Sequence, residues 1–375
     1  MVPSKVGNNT MDDLMLSKTE SVDAEAQLIS LLKKVGLGST KENQQILRLF
    51  LNEGLPISKE SLKAASQWVK EISKTDFPKA LEAIKITVQK DLPLTEPVLK
   101  SILALQTEEL ITNNLVKVLE AIQAISPKSN STVQLETVLR QLTGQFLETA
   151  SNETMAEPSM NWGNGKEIMQ LLKQTVKVLG LQYEHDISIL EKEQTLEGKL
   201  MALKPLLIKA LEESPDQNTK DKIDQLLTRI TGFQLINSEQ EGQFQQLLLQ
   251  LPILLGNHST DVRFKMMGRK QQNGQIDPDY CRVLFYLELE HLREMLVDVH
   301  VQNRIVNIQI YNEYPELNLI IKSVQPLLKE KLENHQYHLS SIMVSTKEKE
   351  NNKKSATTEE QFTFSPSMNG VDIKI

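Results

Sequence analysis

The residues that could do chemistry are few, and their spacing decides most of what can be said of them. The stretch "WGNGKE" at 162–167 carries the glycine and lysine of a phosphate loop. Such a loop needs glycine where Met160 stands and a hydroxyl where Glu167 stands, and it must follow a strand. Glu167 would repel phosphate, so the stretch reads as a loop that starts a helix. Of the six histidines, His185, His258, His291, His300, His335 and His338, only the last two are close in sequence. They straddle an expected helix end, with no acidic or cysteine partner at a ligand spacing. Cys281 alternates with Val283 and Phe285, which is the pattern of a structural strand thiol, and nothing beside it would lower its pKa. No nucleophile elbow, paired-carboxylate motif or dinucleotide fingerprint occurs. The expectation is a non-enzyme with no catalytic residue, no metal, no cofactor and no small-molecule substrate.

The elements that surround these residues point to protein binding. A chain of 375 residues is expected to form two or three folding units. Its net charge of −7 argues against nucleic acid, because neutralising phosphates takes a basic surface. A single cysteine excludes an internal disulfide. The first sixteen residues lack the apolar core of a signal peptide. The longest apolar run, "LLLQLPILLG" at 247–256, contains Gln250 and Pro252 and is about half of what a membrane span needs. A cytoplasmic protein without membrane insertion is expected, with export by a route lacking a cleaved signal left open.

Residues 1–20 read as a polar tail. Segments 36–43, 54–61 and 91–98 each place Ser or Thr where it can cap a helix, and apolar residues recur between them at helical spacing. Residues 21–150 are therefore expected to be helical, 151–165 to be a linker, and 166–236 to be helical again, with patterns over 166–180, 184–195, 198–213 and 218–231. Beyond 237 the period becomes two. "LLLQL", "DVRFKMMGRK" and "YCRVLFYLEL" read as strands, and "LVDVHVQNRIVNIQI" at 296–310 as a hairpin. With Gln302-Asn303 as its turn, Val301 would face Arg304, Val299 face Val306 and Val297 face Ile308. After Pro315 a helix would cover that face with Leu317, Ile321, Val324, Leu328 and Leu332, bent or interrupted at Pro326. A last strand follows at 337–344 and a polar tail at 347–375. The fold class is α+β: a mostly helical N-terminal two-thirds, then a small C-terminal domain at 237–346 of hairpins packed on one helix.

The run from Leu287 to Val344 resembles the C-terminal domain of bacterial flagellar hook-length control proteins, and the resemblance covers roughly 244–346. That family shows Leu-x-Pro-x-x-Leu-Gly-x-Val-x-Val, a second strand, a helix ending in a Gly-Tyr-like turn, and a final strand. Leu287, Leu292, Val297 and Val299 match, Met295 stands for the first valine, and Gln336-Tyr337 matches the turn. Leu289 and Arg293 replace the motif proline and glycine. A left-handed glycine turn costs other residues about 1 kcal/mol or more, so the turn at Arg293 is expected to be built differently. The resemblance implies a protein of a flagellar type III export system whose C-terminal domain docks on the cytoplasmic part of the export gate. The alternative is a cytoplasmic helical scaffold or adaptor unrelated to export. Strand 262–270 sets Arg263, Lys265 and Arg269 on one face, a solvated basic edge or a strip that steers an acidic partner. With Leu292 and Arg293 from the motif turn, these form the candidate partner-binding set.

Overall fold

In a computed structural model the described residues are 25–107, 109–144, 165–181, 202–214, 216–238, 243–255, 258–272, 274–314 and 316–345. The linker expected over 151–165, the helix expected over 184–195 and both tails fall largely or wholly outside them. The described residues divide into two compact units, 25–103 and 104–345. The architecture is α+β, as the periodicities imply.

The first unit is a set of short helices: α1 (25–35), α2 (Lys41–Asn52), α3 (Lys59–Val69), α4 (Phe77–Gln89) and α5 (Glu96–Ala104), whose last residue belongs to the second unit. Each start is set by local chemistry. The Thr40 and Ser58 hydroxyls accept the Asn43 and Ser61 amides, satisfying donors that a helix leaves free at its N-terminus. Leu32, Ile46, Phe50, Leu62 and Ile84 are buried in this unit.

The second unit joins helices to a sheet. Helices α6 (Ile111–Gln123), α7 (Asn130–Thr143), α8 (Gly165–Leu179), α9 (Leu203–Glu213) and α10 (Gln217–Ile236) share one core around Leu115, Leu139, Leu207, Leu226 and Ile230. Gly165, Lys166 and Glu167 open α8, as the loop reading implied. Strand β1 (Phe244–Leu255) contributes Leu249 and Leu251 to this same core, so the helices of 166–236 and the strands beyond 237 are built together. The sheet runs β1, β2 (His258–Lys270), β3 (Ile276–Leu289), β4 (Arg293–Gln302), β5 (Ile305–Tyr311) and β6 (His338–Ser345) in sequence order. Its first five strands are antiparallel, and β6 lies parallel to β5 after the crossover helix α11 (Leu317–Asn334). On the outer edge of β1 a side chain takes the place of a neighbouring strand at Leu248. The Asn237 amide accepts from Leu248 N–H at 2.7 Å and donates to Leu248 C=O at 2.6 Å, as a neighbouring strand would. Between β2 and β3, a Cβ at Gly268 would come within 2.9 Å of the Tyr280 carbonyl, which reserves this register shift for glycine.

Four expectations for the hairpin and its covering helix change. The turn is Asn303-Arg304, with φ of 50° and 63°, which is the two-residue type I′ geometry. The register moves by two residues, so Val301 pairs with Val306, Val299 with Ile308 and Val297 with Ile310. A shift of two keeps every side chain on its expected face. Helix α11 continues through Pro326 without interruption. Its core side is Leu317, Ile321, Leu328 and Leu332; Val324 is not among them and is largely in solvent.

Candidate docking surface

The alternation of β2 places Asp261, Arg263, Lys265 and Arg269 on one face of the sheet, and the pairings carry that face across to Arg282, Leu284 and Tyr286 on β3 and to Leu296, Asp298 and His300 on β4. It is not the solvated basic strip that the sequence suggests. Lys265 is only 3% exposed, and its amine is pushed down to about 8, first by burial and then by the Arg282 guanidinium. Arg263 is half-buried with its guanidinium 5.1 Å from the Tyr286 ring centroid. Arg269 is exposed and lies 5.3 Å from the Tyr280 ring. Of the three charges only Arg269 stands out in solvent, because Leu284 and Leu296 bury themselves with Tyr286 and Tyr311 on the same face. The two motif-turn residues also separate. Leu292 packs into the core under α11, whereas Arg293 is exposed. Arg293 itself takes φ of 54°, so the turn has left-handed geometry, contrary to the expectation that it is built differently.

The ionic centre of the face is Asp298, which the sequence did not single out. Arg282 grips it with two bonds, Nε to Oδ1 at 2.9 Å and Nη2 to Oδ2 at 2.7 Å, and His300 Nε2 lies 3.2 Å from Oδ1. Burial works against the carboxylate, but the bonds from His300 and Arg282 outweigh it and hold the carboxyl below its ordinary range. A second buried centre has no signature in the sequence either. Asp261 accepts the Ile111 amide at 2.6 Å, the Thr112 amide and hydroxyl, and Gln250 Nε2 at 2.7 Å, thereby capping α6 from another part of the chain. Arg229 donates to Gln250 at 2.8 Å, to the Ala104 carbonyl at 3.0 Å, to Thr107 and to the Glu109 carbonyl. Both centres are tied to protein partners and hold elements together, although the buried Arg229 Nε has no acceptor.

Cys281 is half-buried, donates weakly to the Pro278 carbonyl, and is pushed up to about 11 by burial and by Asp277 and Asp279. His335 ends α11 and His338 begins β6, both exposed. Among the described residues no helix is long and apolar enough to cross a membrane.

The chain is similar to the uncharacterized protein YlqG of Bacillus subtilis (strain 168). The two are 27% identical over 300 residues, which cover 76% of this chain and 50% of YlqG, so the match spans half the relative's length. No protein-family model and no solved structure matches.

The opposite face of the sheet, with Val297, Val299 and Val301, is covered by α11, and this helix leaves an apolar row in solvent. On α11, Leu319 and Leu327 are 67% and 53% exposed, and Ile320 and Val324 are 46% and 44% exposed. Ile320, Val324 and Leu327 recur at three- and four-residue steps and so form one flank of the helix, contiguous with its core side. A soluble surface carries single apolar residues at no notable cost, but a row of large ones beside a folded core marks a place where another chain packs.

Proposed function

We propose that this protein is a non-enzymatic, hook-length-control-like component of a flagellar type III export system, acting in the cytoplasm, and that its C-terminal β3–β6/α11 region docks on the cytoplasmic part of the export gate. The observation that carries the reading is the apolar flank of α11, which presents Ile320, Val324 and Leu327 to solvent on a helix already anchored by its adjoining side. The succession of strand, turn at Arg293, hairpin, helix and final strand supports it, since this is the layout that the resemblance implies. Arg293, exposed at its turn, would supply charge beside this site and chiefly raise the association rate, whereas Arg269 lies on the other face of the sheet. The rival reading, a scaffold or adaptor unrelated to export, draws support from the packed helical unit before Leu103, where family members often carry a low-complexity ruler.

The test is surface binding of the full chain to the cytoplasmic domain of the matching export-gate protein. Leu327→Asp should abolish binding while the melting curve is kept, and Arg293→Glu should slow association and weaken its salt dependence, whereas Arg269→Glu, on the other face, should leave both unchanged. Absence of binding by the unaltered chain overturns the export reading and favours the adaptor.

A further inference from the structure

We infer that this flank of α11 also seats a second copy of the chain, so that two copies pair through antiparallel α11 helices and the export gate has to take the place of one of them. The pairing stands on the helix itself; the competition rests on the docking reading above. Followed along the flank, the helix and its cap read Glu316, Ile320, Val324, Leu327 and Lys331, at steps of four, four, three and four residues. Such steps keep the set on one stripe, about 22 Å long at a rise of about 1.5 Å per residue. All of these side chains are exposed. Their order is acidic, apolar, apolar, apolar, basic.

A stripe of that order is complementary to its own reverse. Laid antiparallel against a second α11, Glu316 meets the partner's Lys331, Ile320 meets the partner's Leu327, and Val324 lies at the two-fold axis opposite the partner's Val324. A two-fold arrangement makes each contact twice, which gives an ion pair at either end and a continuous apolar centre. A parallel copy would set glutamate against glutamate and lysine against lysine, so the charges select the antiparallel arrangement. Within one chain Glu316 and Lys331 are about 22 Å apart and cannot pair with each other. The other flank lacks this symmetry: Lys322 and Lys329 are both exposed there, and an antiparallel copy would oppose lysine to lysine. One helix stripe buries less than the roughly 1,000 Å² that stable complexes clear, so the pair is weak and reversible. Such weakness suits a cover that must yield, because the free energy that holds the pair is subtracted from docking.

The experiment is sedimentation equilibrium of the full chain from micromolar to near-millimolar concentration. The parent should pass from one copy to two as concentration rises. Glu316→Lys and Lys331→Glu should each weaken the pair roughly tenfold, because each turns two attractions into two repulsions. An equal mixture of these two variants should pair as well as the parent, since each supplies the charge that the other lacks. Neither a disturbed fold nor an unrelated contact would give that rescue. Lys322→Glu, on the other flank, should change nothing. A chain that stays single at every concentration, or a mixture that pairs no better than its components, overturns the inference. So does docking that is indifferent to the parent's own concentration, since pairing and docking would then use different surfaces. Failure of the docking reading looks different: the rescue is seen, but neither the parent nor Glu316→Lys binds the export-gate domain at any concentration.

Discussion

Replacing Lys265 by methionine should stabilise this protein, and the gain should depend on pH in a direction that the buried amine dictates. The amine falls from its ordinary 10.5 to about 8 in the folded chain, chiefly through burial. One pKa unit is worth about 1.4 kcal/mol, so holding this group charged costs the folded state about 3 kcal/mol at neutral pH. Between pH 8 and 10.5 the unfolded chain binds more protons than the folded one, and stability therefore rises with pH as that cost is relieved. Methionine matches the length of the stem and has no charge to desolvate. Urea unfolding of both proteins between pH 6.5 and 9.5 should show the variant ahead by about 2–3 kcal/mol at the acid end, with the gap narrowing by about 2 kcal/mol toward the alkaline end. Parallel pH profiles would refute the argument, because they would mean that Lys265 titrates alike in both states and is solvated. A less stable variant at every pH would show that the hydrogen bonding of the amine outweighs its burial.

Val297→Asp places a charge between Ile310 and Phe285 under α11 and should cost about 3 kcal/mol or more, read as a lowered urea midpoint; an unchanged midpoint would contradict the pairing. Asp261→Ala removes the acceptor for the start of α6 and for Gln250 and leaves Arg229 buried, at about 3–5 kcal/mol; adding Arg229→Met should then cost less than it does alone, and simple additivity would deny the coupling. Arg293→Gly should gain about 0.5–1 kcal/mol by relieving the left-handed backbone without altering the hairpin, and a loss would show that the arginine side chain holds the turn.

Much of this fold could be read from local chemistry. Hydroxyl caps at Thr40 and Ser58, the change to period two beyond 237 and the inner face of the hairpin all follow from rules that act within a few residues. What escaped depends on contacts that no such rule reaches. Alternation correctly groups Arg263, Lys265 and Arg269 on one face, but it cannot tell that Leu284 and Leu296 close over part of that face and bury the middle charge. Positive φ at two successive residues is usually a matter of Asn-Gly or Asp-Gly, so Asn303-Arg304 is a weak turn signal and the sequence alone points to a register two residues short. Val324 fits the stripe of α11 by spacing alone, because the helix is apolar over so wide an arc. Arg229 and Asp261 are 32 positions apart and meet only when β1 and β2 fold against the helices.

The two ends of the sheet are not equivalent. At β1 the Asn237 amide uses up the backbone groups of Leu248 that a further strand would need, whereas among the described residues no strand pairs with the far side of β6. By strand pairing two copies can join through β6 alone, whereas a longer sheet would also have to displace Asn237 from Leu248. A single asparagine at the end of a helix thus raises the cost of carrying strand exchange from a pair toward a fibre.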